Sequence, residues 1–503
     1  MGSQHSHAQD WVKESGSGIS TPRGGSRRGT TPRGSGASLE AEKAEPSHQT
    51  SMVPVEKLAK LLCQRSQKEE GVNGVTEKSF TNYVFPQYPD LARRFFRHLH
   101  RAARAKGPHL PPAAFRAQCE RVLAILDDAL ITETYVKLFT CDDAESTVSA
   151  EGLRALLLAS YRLSMDHYPE GPGQACYMIN QTLTAVVSGC FTGKDAHSVG
   201  FVGRWLDEHC HRVILPLHRY CVHVLSTRHR ELESALSGTN SPTLGAGLEL
   251  STPVLERSAW PAAEGDPALL PVSAAWIVAA AAPPLYSRPC AAPPAVHGAS
   301  ALASRAWLAR LVCAVPSHWT PLYASREHGL AANRFLHHTL AYRGPTLVVV
   351  KARGSDDTFV ICSAGEWRES HRYYGSPECA FIRLQPSFAL LEKGANMLYL
   401  NTSVRGYPHG LRVGMDPRKP LLSINGDFDH FDFNGATYAI DNIEVWGCGD
   451  AASREVQLDI KKWQVKEAER QSHVKLSAAD WIEHPDRYLL ELAGRPQYNN
   501  SAS

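Results

Sequence analysis

Apolar residues follow two different periods along this chain. From Val55 to about Arg230 they recur every three or four positions, as Leu91, Phe95 and Leu99 do beside Arg93, Arg94, Arg97, Arg101 and Arg104, which predicts amphipathic helices, one of them strongly basic. Beyond about Ala303 the pattern becomes short β-branched and aromatic runs broken by Gly, Asn, Asp and Pro. Leu347 to Val350, Thr358 to Cys362, Phe381 to Leu384, Phe388 to Leu391, Met397 to Leu400, Leu421 to Ile424 and Ile440 to Val445 read as strands. Gly354-Ser-Asp-Asp357 separates the first two as a hairpin would. A helix over Arg326 to Tyr342, with Ser325 as N-cap and Gly344 past its end, covers them. The fold class is therefore α+β, an N-terminal helical domain followed by an antiparallel β-sandwich with covering helices.

Between the two patterns, 237–302 turns to Pro, Ala, Gly and Ser and reads as a linker with a packed segment at Leu269 to Val278. The divisions are then 1–50 tail, 51–236 helical domain, 237–302 linker, 303–450 sandwich and 451–503 helical extension. In the extension, Val456, Ile460, Trp463 and Glu467 step along one helix face, and Trp481, Tyr488 and Leu489 fall in a second short helix. That stripe is too narrow to form a core alone, so it packs on its own domain or on a partner. Trp463 and Glu467 are candidate partner contacts.

Within the helical half, Glu120 to Leu126, Tyr135 to Phe139 and Leu153 to Leu158 bracket a twelve-residue loop, Cys141 to Gly152, resembling an EF-hand. With Val148 at the hydrophobic eighth place, the first ligand place holds Cys141, the sixth Ser146 instead of Gly and the twelfth Gly152, so calcium lacks the carboxylates of the first and twelfth places and the expectation is a degenerate, metal-free hand.

Composition narrows the function. The net charge of +2 supplies no concentrated phosphate-binding excess, which argues against nucleic acid as a partner. Twelve cysteines without CxxC spacing suit free thiols in a reducing compartment. The first fifty residues, rich in Gly, Ser, Thr and Pro, read as a disordered tail. Met1-Gly-Ser-Gln-His-Ser6 fits the N-myristoylation pattern, with Gly2 as acceptor. Lys13, Arg23, Arg27, Arg28 and Arg33 against Asp10 and Glu14 leave a net +3, a second signal for the cytosolic leaflet of an anionic membrane.

Four groups of residues are candidates for chemistry. His209, Cys210, His211, His218, Cys221 and His223 have zinc-ligand types, but their spacing matches no finger, and the intervening Val213, Ile214, Leu217 and Val222 read as helix core. Asp427, Asp429, His430 and Asp432 interleave with Phe428, Phe431 and Phe433 as an acidic turn with aromatic anchors. Cys362 and Cys379 are the thiols that a peroxide-reducing enzyme would need. Glu366, Glu378 and Glu444 are acids within the strand region, and alternation sets Glu444 on the face opposite Ile443 and Val445, as a solvent-facing or network residue. No nucleophile elbow, phosphate loop or coherent metal motif accompanies them, so no catalytic residue, metal or cofactor is expected.

Glu327-His-Gly-Leu330, Gly344-Pro-Thr-Leu-Val-Val-Val350, Trp367, Tyr374-Gly-Ser-Pro-Glu-Cys379, Phe381-Ile-Arg-Leu384 and Ile443-Glu-Val-Trp-Gly447 together resemble the TLDc domain of the oxidation-resistance proteins, over roughly 303–448. Gly410 to Met415 leading into Leu421 to Gly426 departs from the Gly-rich run usual in that family. With an acylation-like start and an EF-hand-like region ahead of it, the chain is similar to the N-myristoylated, TOR-associated branch of the family and its fungal members. The resemblance implies a non-enzymatic regulator that docks on subunits of the vacuolar-type proton pump at lysosome-like membranes, in oxidative-stress resistance or growth signalling. It also makes Glu378 and Glu444, in matched motifs, candidate partner contacts. A thiol-based antioxidant enzyme and a signalling scaffold unrelated to the pump are the alternatives, and the oligomeric state is open.

Overall fold

The computed structural model describes residues 53–140, 146–168, 178–237, 252–256, 269–287, 317–449 and 451–472. The helical part is built from helix–loop–helix units in pairs. In the first pair, α1 (Val53–Glu70) and α2 (Glu77–Tyr83) are joined to α3 (Pro89–Ala102) and α4 (Pro112–Leu123) by an antiparallel bridge. Across it Val75 and Leu110 exchange N–H···O bonds of 2.8 and 2.9 Å. In the second pair, α5 (Asp128–Lys137), β1 (Thr147–Ser149) and α6 (Ala150–Asp166) face α7 (Ile179–Cys190), β2 (Ala196–Ser198) and α8 (Val199–Cys210), with β1 antiparallel to β2. Each strand ends in the serine that caps the next helix: Ser149 Oγ accepts from Gly152 N at 3.1 Å, and Ser198 Oγ from Phe201 N at 3.3 Å.

The EF-hand-like unit read from the sequence thus has a partner that the sequence did not disclose. His197 lies opposite Val148, so counting from that pairing puts Cys190 at the first ligand place of the second loop and Phe201 at the twelfth. Neither is a carboxylate. The strand pairing of two hands is present, while neither loop carries a carboxylate at its first or twelfth place.

After α9 (Leu215–Ser237), which packs on α1, α4, α5 and α6, come the short strand β3 (Val254–Leu255) and α10 (Val272–Ala281). Every residue of α10 from Ser273 to Ala281 is buried, because the helix is apolar all round and is enclosed by α7, α8 and the sheet. The stretch read as linker therefore contributes core. Trp276 meets Tyr161 edge-on at 5.3 Å, and the buried Arg212 donates to Ser287 Oγ at 2.6 Å and to the carbonyls of Ala279 and Ala282, which closes the C-terminal end of α10.

The β part begins with β4 (His318–Ala324), then α11 (Ser325–His328) and α12 (Ala332–Thr339). The single helix expected over 326–342 is broken, since Gly329 turns at φ +83° and its carbonyl accepts from Tyr323 Oη at 2.7 Å. Ser325 is not its N-cap either. Its Oγ donates to Asn442 Oδ1 at 2.6 Å and accepts from Ile443 N at 2.9 Å, tying the helix to the closing strand.

There follow β5 (Thr346–Ala352), β6 (Thr358–Ser363), β7 (Ala380–Gln385), β8 (Ala389–Lys393), β9 (Leu398–Asn401), β10 (Gly410–Val413), β11 (Leu422–Ile424), β12 (His430–Phe433) and β13 (Ala436–Gly447). One run of strands is ordered β8-β7-β6-β5-β13, with β4 on the other side of β13 and β3 parallel to β4. A second is ordered β9-β10-β11-β12-β13. β13 belongs to both: Ala436 to Ala439 pair with β12, Ile440 to Gly447 with β5, and the register shifts at Asp441 between them.

The continuous apolar run at β5 now has its reason. Val348 and Val350 face the inter-sheet core with Phe359, Phe381, Leu400 and Phe431, whereas Leu347 and Val349 join Val360, Ile382 and Trp446 in the core shared with the helices. A strand buried on both faces has no polar side to alternate with. The helices meet the sheet closely: Phe388 N donates to Ala185 O at 2.9 Å, Leu390 N to His209 Nδ1 at 3.2 Å, and a Cβ on Gly189 would stand 2.2 Å from the Phe388 carbonyl oxygen.

Candidate functional site

The last described helix, α13 (Ala451–Ser472), starts just beyond β13. Gly447 and Gly449 let the chain pass against Tyr342, whose ring would lie 2.6 Å from a Cβ on Gly447 and whose Oη accepts from Gly449 N at 2.9 Å. The helix then attaches through a polar residue. Gln457 is fully buried, and its Nε2 donates to the carbonyls of His338 and Leu340 at 3.0 and 3.1 Å, satisfying groups that the end of α12 leaves open. Arg454 donates to the Oε1 of the same glutamine. The face turned inward is thus Arg454, Gln457 and the half-buried Lys461.

Of the stripe anticipated from periodicity, Val456 and Trp463 are exposed and Ile460 and Glu467 half-buried. Val456 is 40% exposed and Trp463 61%, joined by Leu458 and Val465. Glu467 pairs with Arg470 at 3.1 Å, and Lys462 with Asp459 at 3.3 Å, exposed pairs that contribute little to stability. Val456 and Trp463 share one flank of the helix and Leu458 and Val465 the opposite one, so a polar inward face is bordered by two short exposed apolar pairs, of which Trp463 is the largest anchor.

The two candidate glutamates occupy opposite environments. Glu378 is exposed on the turn before β7; the hydrogen bond from Ser376 Oγ at 2.6 Å holds its carboxyl below the usual range. Glu444 is buried, accepting from Leu269 N at 3.0 Å and Trp446 Nε1 at 3.1 Å, and burial pushes its carboxyl up despite these bonds. It therefore acts as the network residue of the two options, fastening the entry of α10 to the sheet. Sequence alternation placed it correctly relative to its neighbours but could not show that its own face was covered. Glu366 is exposed on the loop after β6.

The thiols are poorly placed for chemistry. Cys362 and Cys379 are fully buried, and burial pushes both thiols up, away from the thiolate that peroxide reduction needs. Asp429 lies 3.0 Å from His430 and accepts from Asn425 Nδ2 at 2.5 Å, and Phe428, Phe431 and Phe433 are all buried beneath that turn. Among the histidines and cysteines of 209–223, His209 accepts from Leu390, His218 sits 3.3 Å from Tyr135 Oη, and Cys210 and Cys221 are buried in helix packing.

Two clefts bear on ligand binding. One of about 80 Å³ lies where α10 meets the sheet, beside Met178, Leu269, Arg326, Lys351 and Gln385, and is too small for a substrate. The other, about 470 Å³, opens beside Glu70, Glu77, Lys78, Arg93 and His109, with acids and bases in near balance, so it favours neither anion nor cation. Gly2, residues 141–145 of the first hand's loop and the segment with Trp481, Tyr488 and Leu489 lie outside the described residues. Among the described residues no helix is long and apolar enough to cross a membrane.

Residues 296–449 match the TLDc domain family. The chain is similar to the protein called Restriction of telomere capping protein 5 of Colletotrichum graminicola, 23% identical over 246 residues, 35% of this chain and 39% of the relative. It is similar to proteins of that name from Vanderwaltozyma polyspora (26% identical, covering 27% of this chain and 30% of the relative) and Kluyveromyces lactis (25%, covering 27% and 29%). The matched part of the chain spans well under half the length of these relatives.

Proposed function

Taking the TLDc domain at 296–449 as premise, we propose that this chain is a non-catalytic regulator that works by docking, with α13 and the adjoining TLDc surface as its contact. The observation that carries this is α13 itself. Its polar face is spent on Gln457 and the end of α12, while Trp463, Val456, Leu458 and Val465 are presented outward. A helix laid into a partner's groove buries such anchors. The buried, raised thiols of Cys362 and Cys379 weigh against a thiol enzyme.

The partner proposed is a subunit of the vacuolar-type proton pump, on the strength of the family resemblance, and the place is the cytoplasmic side of an endomembrane such as the lysosome. Acylation at Gly2 and the basic tail would supply the attachment, since one acyl chain alone binds only marginally. Roles in oxidative-stress resistance or TOR-linked signalling follow from that partner. The relatives' printed name, restriction of telomere capping, is likewise that of a regulator rather than of a catalyst.

Affinity purification of the full chain beside a chain ending before Arg454 tests the contact. Pump subunits are expected with the full chain and reduced with the truncation, while the TLDc thermal transition is retained. A truncated chain that melts normally and recovers the same subunits removes α13 as the contact. Recovery of kinase-signalling components without pump subunits supports the scaffold instead. Gly2→Ala is expected to move the protein to the soluble fraction, and an unchanged membrane fraction overturns the acyl anchor.

A further inference from the structure

α13 is held over a cluster of imidazoles. His338, half-buried at the end of α12, has its ring 3.9 Å from that of His328 on α11, 5.1 Å from His337 and 5.9 Å from Tyr323 on β4, centre to centre. From above, α13 bonds to the carbonyl of that same His338 through Gln457 and brings the positive charges of Arg454 and Lys461 to bear on the ring. Arg334 on α12 donates to the His328 carbonyl at 2.8 Å, and Glu256, after β3, acts on Arg454. Among the described residues, the charges that act on the His338 ring belong to cations or other imidazoles, with the Tyr323 phenol alongside. The most exposed apolar residues of α13, Trp463 and Val465, contribute little to its hold. The anchor rests on a few hydrogen bonds, each of modest net worth.

We propose that the docking of α13 on the TLDc domain is proton-gated, with His338 as the sensing group and release of the helix as the result. A proton on His338 places a third positive charge beside Lys461 and Arg454 in a half-buried position, and the strain is relieved when α13 leaves. In the docked state burial, and then the charges of His328, Lys461, His337 and Arg454, hold the imidazole at about 4 against an ordinary 6.5. Because the docked ring is kept neutral, docking is fully stable above about pH 6.5 and weakens as pH falls toward about 4, so acidification drives release. The inference builds on the proposal that α13 is the contact element and adds its regulation: acidification on this side of the membrane would alter the geometry in which Trp463 is presented.

The test uses the full chain with no partner present, so that failure of the gate and failure of the pump reading stay distinguishable. Hydrogen exchange is followed over 454–472, corrected for the intrinsic pH dependence of exchange. Between about pH 7.5 and 5.5 the released population should rise by about three- to tenfold, tenfold being the limit for one proton over one pH unit below the free value. His338→Gln should flatten the response. Lys461→Gln, a change at the half-buried edge of the inward face of α13, should reduce its slope while leaving the thermal transition of the domain in place. Equal release at the two pH values, or a response that survives His338→Gln, overturns the gate. Should His338→Gln fail to fold, an unreduced slope in Lys461→Gln overturns it by itself.

Discussion

α10 and α13 flank the same domain and are held to it by opposite means. α10 has no polar side and is enclosed by α7, α8 and β7, so its side chains supply core. α13 is charged along most of its length, fastens by Gln457, and turns its larger apolar residues to solvent. Full burial of a large aliphatic or aromatic side chain contributes about 1.5–3 kcal/mol, an exposed one almost nothing to its own fold. The difference teaches that the packed segment expected within the linker is a structural joint enclosed on every side, whereas the C-terminal helix is held through one polar face and keeps Trp463 exposed.

The sharpest way to break this comparison is at Trp276, which is 3% exposed on α10. Trp276→Ala should cost about 3–5 kcal/mol in denaturant unfolding, the range for removing a buried aromatic. If α10 were only a tether, the loss would be a few tenths.

Next in size is the seam on which α10 depends. Gly189→Ala forces a methyl to within 2.2 Å of a backbone oxygen at Phe388, where no flexible side chain can yield. A loss of about 1–3 kcal/mol is expected, with the midpoint shifted for helical and sheet signals together if the two parts unfold as one. Separate transitions would show that the seam is not cooperative.

Glu444 probes the same seam through a polar group. Glu444→Ala leaves the Leu269 N–H and the Trp446 Nε1–H without this acceptor and should cost about 1–3 kcal/mol. Glu444→Gln keeps an acceptor oxygen and removes the buried charge, so it should cost less; equal losses would mean that the bonds to this side chain are not what matters.

The smallest effect is expected on α13. Trp463→Ala, at 61% exposure, should change stability by less than about 0.5 kcal/mol while weakening recovery of the partner. A loss as large as that at Trp276 would mean that Trp463 packs within its own protein, and the contrast between the two helices would fall.

Much of this could be read along the chain, but unevenly. The strands with strong β-branched or aromatic runs, such as β5, β6 and β7, were legible because a run buried on both faces has a composition of its own. β4, β10 and β12 were not, since His318-Trp-Thr-Pro321, Gly410-Leu-Arg-Val413 and His430-Phe-Asp-Phe433 owe their strand state to neighbours that pair with them. The acidic turn with aromatic anchors was read correctly at Phe428, Phe431 and Phe433. The second hand was missed because Cys190 and Phe201 stand where a calcium loop would carry acids, and the β1–β2 pairing with Val148 is the signal that reveals it. At the candidate site, Trp463 was legible as an apolar residue on a charged helix, whereas Gln457, the residue that fixes the helix, is an ordinary glutamine in sequence.

What the sequence by itself determined is local: the periods of the helices, the buried strands, the residues at the first and twelfth places of an EF-hand-like loop, and the motifs of the TLDc domain, because propensity and alternation act over a few residues. What only the tertiary structure decided is which faces are covered. Glu444 is a buried anchor because Leu269 lies against it, α10 is core because α7, α8 and β7 enclose it, and Trp463 of α13 stays exposed because Gln457 turns the Arg454–Lys461 face to the open carbonyls of His338 and Leu340. Burial is a property of pairs of surfaces, and the second surface of each pair lies tens to hundreds of residues away along the chain.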